Sequence, residues 1–94
     1  MIAHIILLKV IKLSKLQKLL LRIKNNPKTV SFDNIDRLLR LAGFEVRQPG
    51  GGSSHYFYRK NEKCISVPYK RPFVREHYVK RVIELLEGEF EFEN

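Results

Sequence analysis

The apolar residues of this chain change their spacing at Gly43 and again after Pro68, and those two changes decide the fold class. Before Gly43 they recur at three and four. Leu13, Leu16, Leu20 and Ile23, broadened by Leu19, make one stripe, while Lys15, Lys18, Arg22 and Lys24 take much of the remaining surface. That is an amphipathic helix, and Asn25-Asn26-Pro27 ends it because the residue before proline is pushed out of helical geometry. A second helix follows. Ser31 suits its N-cap, Asp33 and Asp36 complement its positive end, and Ile35, Leu38, Leu39 and Ala42 form its apolar face. Gly43 supplies a left-handed stop. From there the pattern alternates, with Phe44 and Val46 on one face and Glu45 and Arg47 on the other over residues 44–48. An aromatic strand over 55–60, a turn at Asn61-Glu62 and a strand over 64–67 that stops at Pro68 complete an antiparallel meander with one side buried. The helical period returns over about 74–87, with Val79, Val82, Ile83 and Leu86 inward and Gly88 at the end. The order α-α-β-β-β-α predicts an α+β fold. Lys70, Arg71 and Arg75 fall just before and inside the first turn of that last helix, the unfavourable end for cations.

With 94 residues there is one compact domain and no space for a deep pocket holding a large cofactor, so none is expected. Cys64 is the single cysteine, which excludes an internal disulfide and a cysteine zinc site and fits a reducing cytoplasm. The charge is uneven. Residues 1–82 hold all 18 Lys and Arg against five acids, a balance of +13, whereas the last twelve residues carry five Glu and nothing basic. A field of that kind attracts nucleic acid or an acidic protein. The apolar run over 2–8 is too short to cross a bilayer core, which needs about 20 residues. It also lacks the basic lead and small-residue cleavage site of a signal peptide. No membrane partner is expected. The expected organisation is an N-terminal extension over 1–14, a folded domain over 15–88 and an acidic tail over 89–94.

The residues fit for chemistry near neutral pH are few, and one stands out. Gly50-Gly51-Gly52-Ser53-Ser54 delivers His55 to the start of the aromatic strand. Imidazole both takes and gives protons near neutrality, and a glycine-rich approach exposes backbone N–H groups to an anion. Alternation puts His55, Phe57 and Arg59 on one face and Tyr56 and Tyr58 on the other. Arg59 should not be buried unpaired, so its face points outward and the tyrosines pack beneath the helices; the opposite arrangement would place Phe57 in the core. An exposed Phe57 would be either a platform for a stacked base or a contact for a partner protein. A lone histidine is most often structural, packed on aromatics, but the Gly/Ser lead-in and the surrounding cations favour a functional reading here.

At these residues the chain resembles the HicA family, the toxin half of type II toxin–antitoxin pairs. The carriers are Leu-Ala-Gly-Phe (41–44) closing a short helix and Gly-Ser-Ser-His (52–55) opening a strand. They continue with Ile-Ser-Val-Pro (65–68), the basic pair Lys70 and Arg71, and Val-Ile-Glu-Leu-Leu (82–86). Their order and spacing cover residues 16–88; residues 1–14 and the acidic tail are additions to the pattern. The resemblance implies a fold like the double-stranded RNA-binding domain, with helices on one face of a three-stranded antiparallel sheet. It also implies endoribonuclease activity on mRNA, a catalytic histidine at His55 and a HicB-type antitoxin protein that masks the site.

Metal-free RNA cleavage needs a base near the 2′-hydroxyl, an acid near the leaving oxygen and cations around the phosphate. His55 is the expected base or acid. Lys70 and Arg71 are the expected phosphate ligands, with Arg59 or Lys63 as further contacts. Ser53, Ser54 and the backbone of Gly51 and Gly52 would position the ribose-phosphate. The second proton-transfer role falls to water, a tyrosine or no efficient group, since His4 and His77 have no motif support. A metal nuclease would need clustered carboxylates, and the acids here are dispersed or in the tail. The main rival is a non-catalytic RNA-binding module of the same fold; an adaptor whose basic face serves an acidic protein is the third reading.

Overall fold

A computed structural model describes residues 14–48, 50–51 and 54–88. The expected extension (save Ser14), the acidic tail and two expected site residues, Gly52 and Ser53, lie outside the described residues. Helix α1 (Lys15–Asn25) opens with a reciprocal cap. Ser14 Oγ accepts from the Gln17 N–H at 3.1 Å, and Gln17 Oε1 accepts from the Ser14 N–H at 3.0 Å. Helix α2 (Phe32–Leu41) starts at Ser31 as expected, with Ser31 Oγ accepting from the Asn34 N–H at 3.2 Å. Ser31→Ala should lower stability by about 1 kcal/mol, read as a reduced urea midpoint at unchanged slope; an unchanged midpoint would show that this cap is not stabilising.

The end of α2 sets up the sheet. Gly43 has φ 92°, its N–H donates to Arg40 O, and the Phe44 N–H reaches back to Leu39 O, both at 3.0 Å. This pair of bonds is the Schellman closure. Phe44 is buried beside Leu39 in the core. Lys60 completes the cap: its Nζ donates to Ala42 O at 2.7 Å, placing a cation on the negative end of the helix. Its stem occupies the space beside Gly43, 3.5 Å from where a Cβ would stand.

Strand β1 (Glu45–Arg47) is shorter than the expected 44–48, because the Phe44 N–H is committed to the helix end. Strand β2 (His55–Lys60) has the expected limits, and β3 (Lys63–Pro68) gains a residue at each end around the turn, where Asn61 has φ 55°. The sheet is antiparallel in the order β1-β2-β3, so Pro68 ends an edge strand, where its missing N–H is tolerated. Register pairs Arg47 with Phe57, His55 with Pro68 and Lys60 with Lys63.

Helix α3 (Glu76–Glu87) begins two residues later than its periodicity suggested. Val74 is held elsewhere, buried with its N–H on Val30 O at 2.8 Å. Arg75 is therefore the N-cap residue, with extended backbone and no side-chain cap bond, and Glu76 occupies the first turn. This corrects the expectation for Arg75, which caps the helix rather than lying inside its first turn; Lys70 and Arg71 lie in the loop before it, as expected.

The three helices among the described residues cover one face of the sheet, giving the expected α+β fold. Leu19, Leu20 and Ile23 of α1, Ile35, Leu38 and Leu39 of α2, and Val79, Val82, Ile83 and Leu86 of α3 pack with Tyr58, Ile65 and Val67. Tyr58 has no exposed surface and Phe57 is 52% exposed, so β2 takes the orientation that turns His55, Phe57 and Arg59 outward. Asp36 is not chiefly a partner for the helix dipole. Its Oδ1 accepts from the Tyr58 hydroxyl and its Oδ2 from Arg40 Nε, each at 2.8 Å, so it locks α2 onto β2.

Candidate nucleic-acid site at the head of the second strand

The site is made where two loops are tied together. The Tyr69 N–H donates to Ser54 O at 2.7 Å, one step beyond the pairing of His55 with Pro68. That bond extends the pairing of β2 and β3 by one step, setting Ser54 beside Tyr69, with His55 next in β2 and Lys70 and Arg71 next in the loop. All five are exposed. Gly51 has φ 41° and open space around its α-carbon, so the backbone there is accessible. A side chain would be strained in that conformation.

A residue not singled out from the sequence, Tyr69, organises this corner. Its ring, 39% exposed, lies 5.0 Å from that of Phe32, which lies 4.8 Å from that of Tyr56. Three tilted rings thus connect the core to the surface. Arg71 Nε donates to the Tyr69 hydroxyl, and its guanidinium carbon sits 5.7 Å from the ring centroid, within cation–π range. Arg71 is thereby held against the Tyr69 ring. The sequence signal was an aromatic directly preceding the basic pair.

Arg59 and Lys63 are placed differently. Arg59 shares the outward face with His55 but is four residues away, about 13 Å at the rise of a strand. Its Nε donates to Asn61 O at 3.4 Å, at the hairpin turn. Lys63 pairs with Lys60 at that same far end, five residues before Pro68, or about 17 Å. Both therefore lie at the hairpin end of the sheet, away from His55, and Lys63 shares the face of Lys60 rather than that of Arg59. His77 lies on α3 with its ring 4.1 Å from that of Tyr78, and His4 is outside the described residues.

Among the described residues no three His, Cys, Asp or Glu side chains cluster in a way that would hold a metal, and no helix is long and apolar enough to cross a membrane. Comparison with family models, with characterised proteins and with solved structures yields no match to this chain. The chemistry of the site therefore rests on its geometry.

Proposed function

We propose that this chain is a metal-independent endoribonuclease that cleaves mRNA in the cytoplasm as the toxin of a HicA-like pair, with His55 as its proton-transfer group. The observation that carries the reading is an exposed imidazole at the head of β2, on a strand whose approach is tied through Ser54 to the loop that carries Lys70 and Arg71. In the reaction, His55 removes the proton of a ribose 2′-hydroxyl. The 2′-oxygen bonds to the adjacent phosphorus, the bond from phosphorus to the 5′-oxygen breaks, and that oxygen takes up a proton. The products are a 2′,3′-cyclic phosphate and a 5′-hydroxyl. Lys70 and Arg71 stabilise the charge on the crowded phosphate, while Ser53, Ser54 and the Gly51 and Gly52 backbone hold the sugar-phosphate. Water or the Tyr69 hydroxyl supplies the second proton. A HicB-type antitoxin would silence the site by covering this cationic corner with acidic groups.

The test is incubation of the purified full chain with mRNA in excess EDTA. Cleavage leaving cyclic-phosphate and 5′-hydroxyl ends is the expected result. Intact RNA with salt-sensitive binding would instead identify a non-catalytic RNA-binding module, and no RNA affinity at moderate salt would favour an adaptor for an acidic protein.

A further inference from the structure

The three helices leave the other side of the sheet bare among the described residues, and that side is not a random mixture. Glu45, Arg47, Phe57, Arg59 and Cys64 line a shallow groove along it, with Val46 and Tyr58 contributing to its floor. Phe57 stands at the centre, on the middle strand, half-exposed, with Arg47 directly opposite on β1 and Ser66 opposite on β3. Arg59 and His55 are its neighbours along β2 on the same face, each about 7 Å away by strand rise. A large half-exposed ring next to two guanidinium groups offers a π-face to a base and cations to the phosphates on either side of it. Glu45 is the single acid in the groove.

We propose that this outer sheet face is a binding platform for single-stranded RNA, with one unpaired base stacked on Phe57 and Arg47 and Arg59 holding the flanking phosphates. The inference rests on the RNA reading above and deepens it. The row His55, Phe57, Arg59 gives the strand a track, so that RNA lying along β2 presents a ribose to His55 while the adjacent base is clamped. A duplex keeps its bases stacked on one another and cannot use the ring, so the platform selects unpaired segments.

The experiment measures affinity separately from cleavage. Full-length His55→Ala protein, with or without Phe57→Ala, is titrated into a fluorescein-labelled, unstructured 12-nucleotide RNA and into a duplex of equal length. Phe57→Ala should weaken single-strand binding by about tenfold or more and leave duplex binding unchanged. Phe57→Trp should keep single-strand affinity, and Phe57→Leu, apolar but ringless, should lose it as alanine does. Arg47→Gln should reduce the slope of log affinity against log salt by about 0.7. Phe57 is outside the core, so these variants should melt like the parent. Equal single-strand affinity with and without the ring overturns the platform even if mRNA is still cut. Conversely, a ring-dependent affinity in a chain that never cuts RNA keeps the platform and removes the ribonuclease. A wild-type dimer dissociated by Phe57→Ala, with RNA affinity unchanged, would assign the face to a second copy of the chain.

Discussion

His55→Ala is expected to reduce RNA cleavage by about 10²- to 10⁴-fold, the usual range for removing a positioned proton-transfer group, while RNA affinity changes by no more than about threefold. The separation follows from placement. His55 is exposed at the first residue of β2, and its backbone pairing with Pro68 does not depend on its ring. On the proposed function, affinity for RNA draws on a chain with 18 basic residues, none of which the variant touches. Lys70→Ala and Arg71→Ala should behave differently, lowering cleavage and affinity together, because a cation on the phosphate acts in both the bound complex and the transition state. Tyr69→Phe separates the two assignments of the second proton. If the Tyr69 hydroxyl protonates the leaving oxygen, kcat falls further in Tyr69→Phe than in Arg71→Ala; if water does so, the loss is no greater than that of Arg71→Ala, whose side chain the hydroxyl holds. Timed cleavage of a labelled RNA, beside anisotropy titrations of the same variants, reads all of these. Cleavage by His55→Ala at the wild-type rate would remove the histidine from the mechanism.

The regular elements of this fold were legible because each boundary has a local cause. Ser31 and Gly43 bracket α2 through bonds made within a few residues, and alternation set the limits of β2. What the sequence hid was long-range. Val74 continues a helical period, but its N–H is taken by Val30, more than forty residues earlier, so α3 starts later and Arg75 only caps it. Asp36 reads as a helix-dipole partner within its own helix, and one of its oxygens is committed to a hydroxyl on another element. The site divides in the same way. The exposure of His55 follows from the two-residue period of its strand, whereas the grouping of Lys70 and Arg71 with it depends on the bond from the Tyr69 N–H to Ser54 O. Arg59 and Lys63 read as further contacts beside that pair; register sends them to the opposite end of the hairpin.

Tyr58→Ala is expected to destabilise the chain by about 3–5 kcal/mol, the range for truncating a large buried aromatic, and Tyr58→Phe by about 1 kcal/mol, the net worth of one hydrogen bond. The contrast divides volume from hydroxyl at one position. Tyr58 has no exposed surface, and its hydroxyl donates to Asp36 at 2.8 Å. Burial first, then the hydrogen bond to Asp36 and the negative charge of that carboxylate, push its ionisation well above the ordinary tyrosine value. In the unfolded chain the phenol ionises near pH 10. Above that pH the unfolded state therefore binds fewer protons than the folded one, and stability falls as pH rises. The contribution is fully present below about pH 10. Beyond it the slope is about 1.4 kcal/mol per pH unit for the one proton. Tyr58→Phe should lose this part of the alkaline slope, so the stability gap between wild type and variant narrows between pH 9 and pH 11 in paired urea titrations. A gap that stays constant would mean that Tyr58 ionises in the folded state. The same residue bears on the functional face, since a strand that turns Tyr58 inward must turn Phe57 and Arg59 outward. RNA affinity in Tyr58→Ala should therefore fall with the folded fraction and return when the protein is cooled into its stable range.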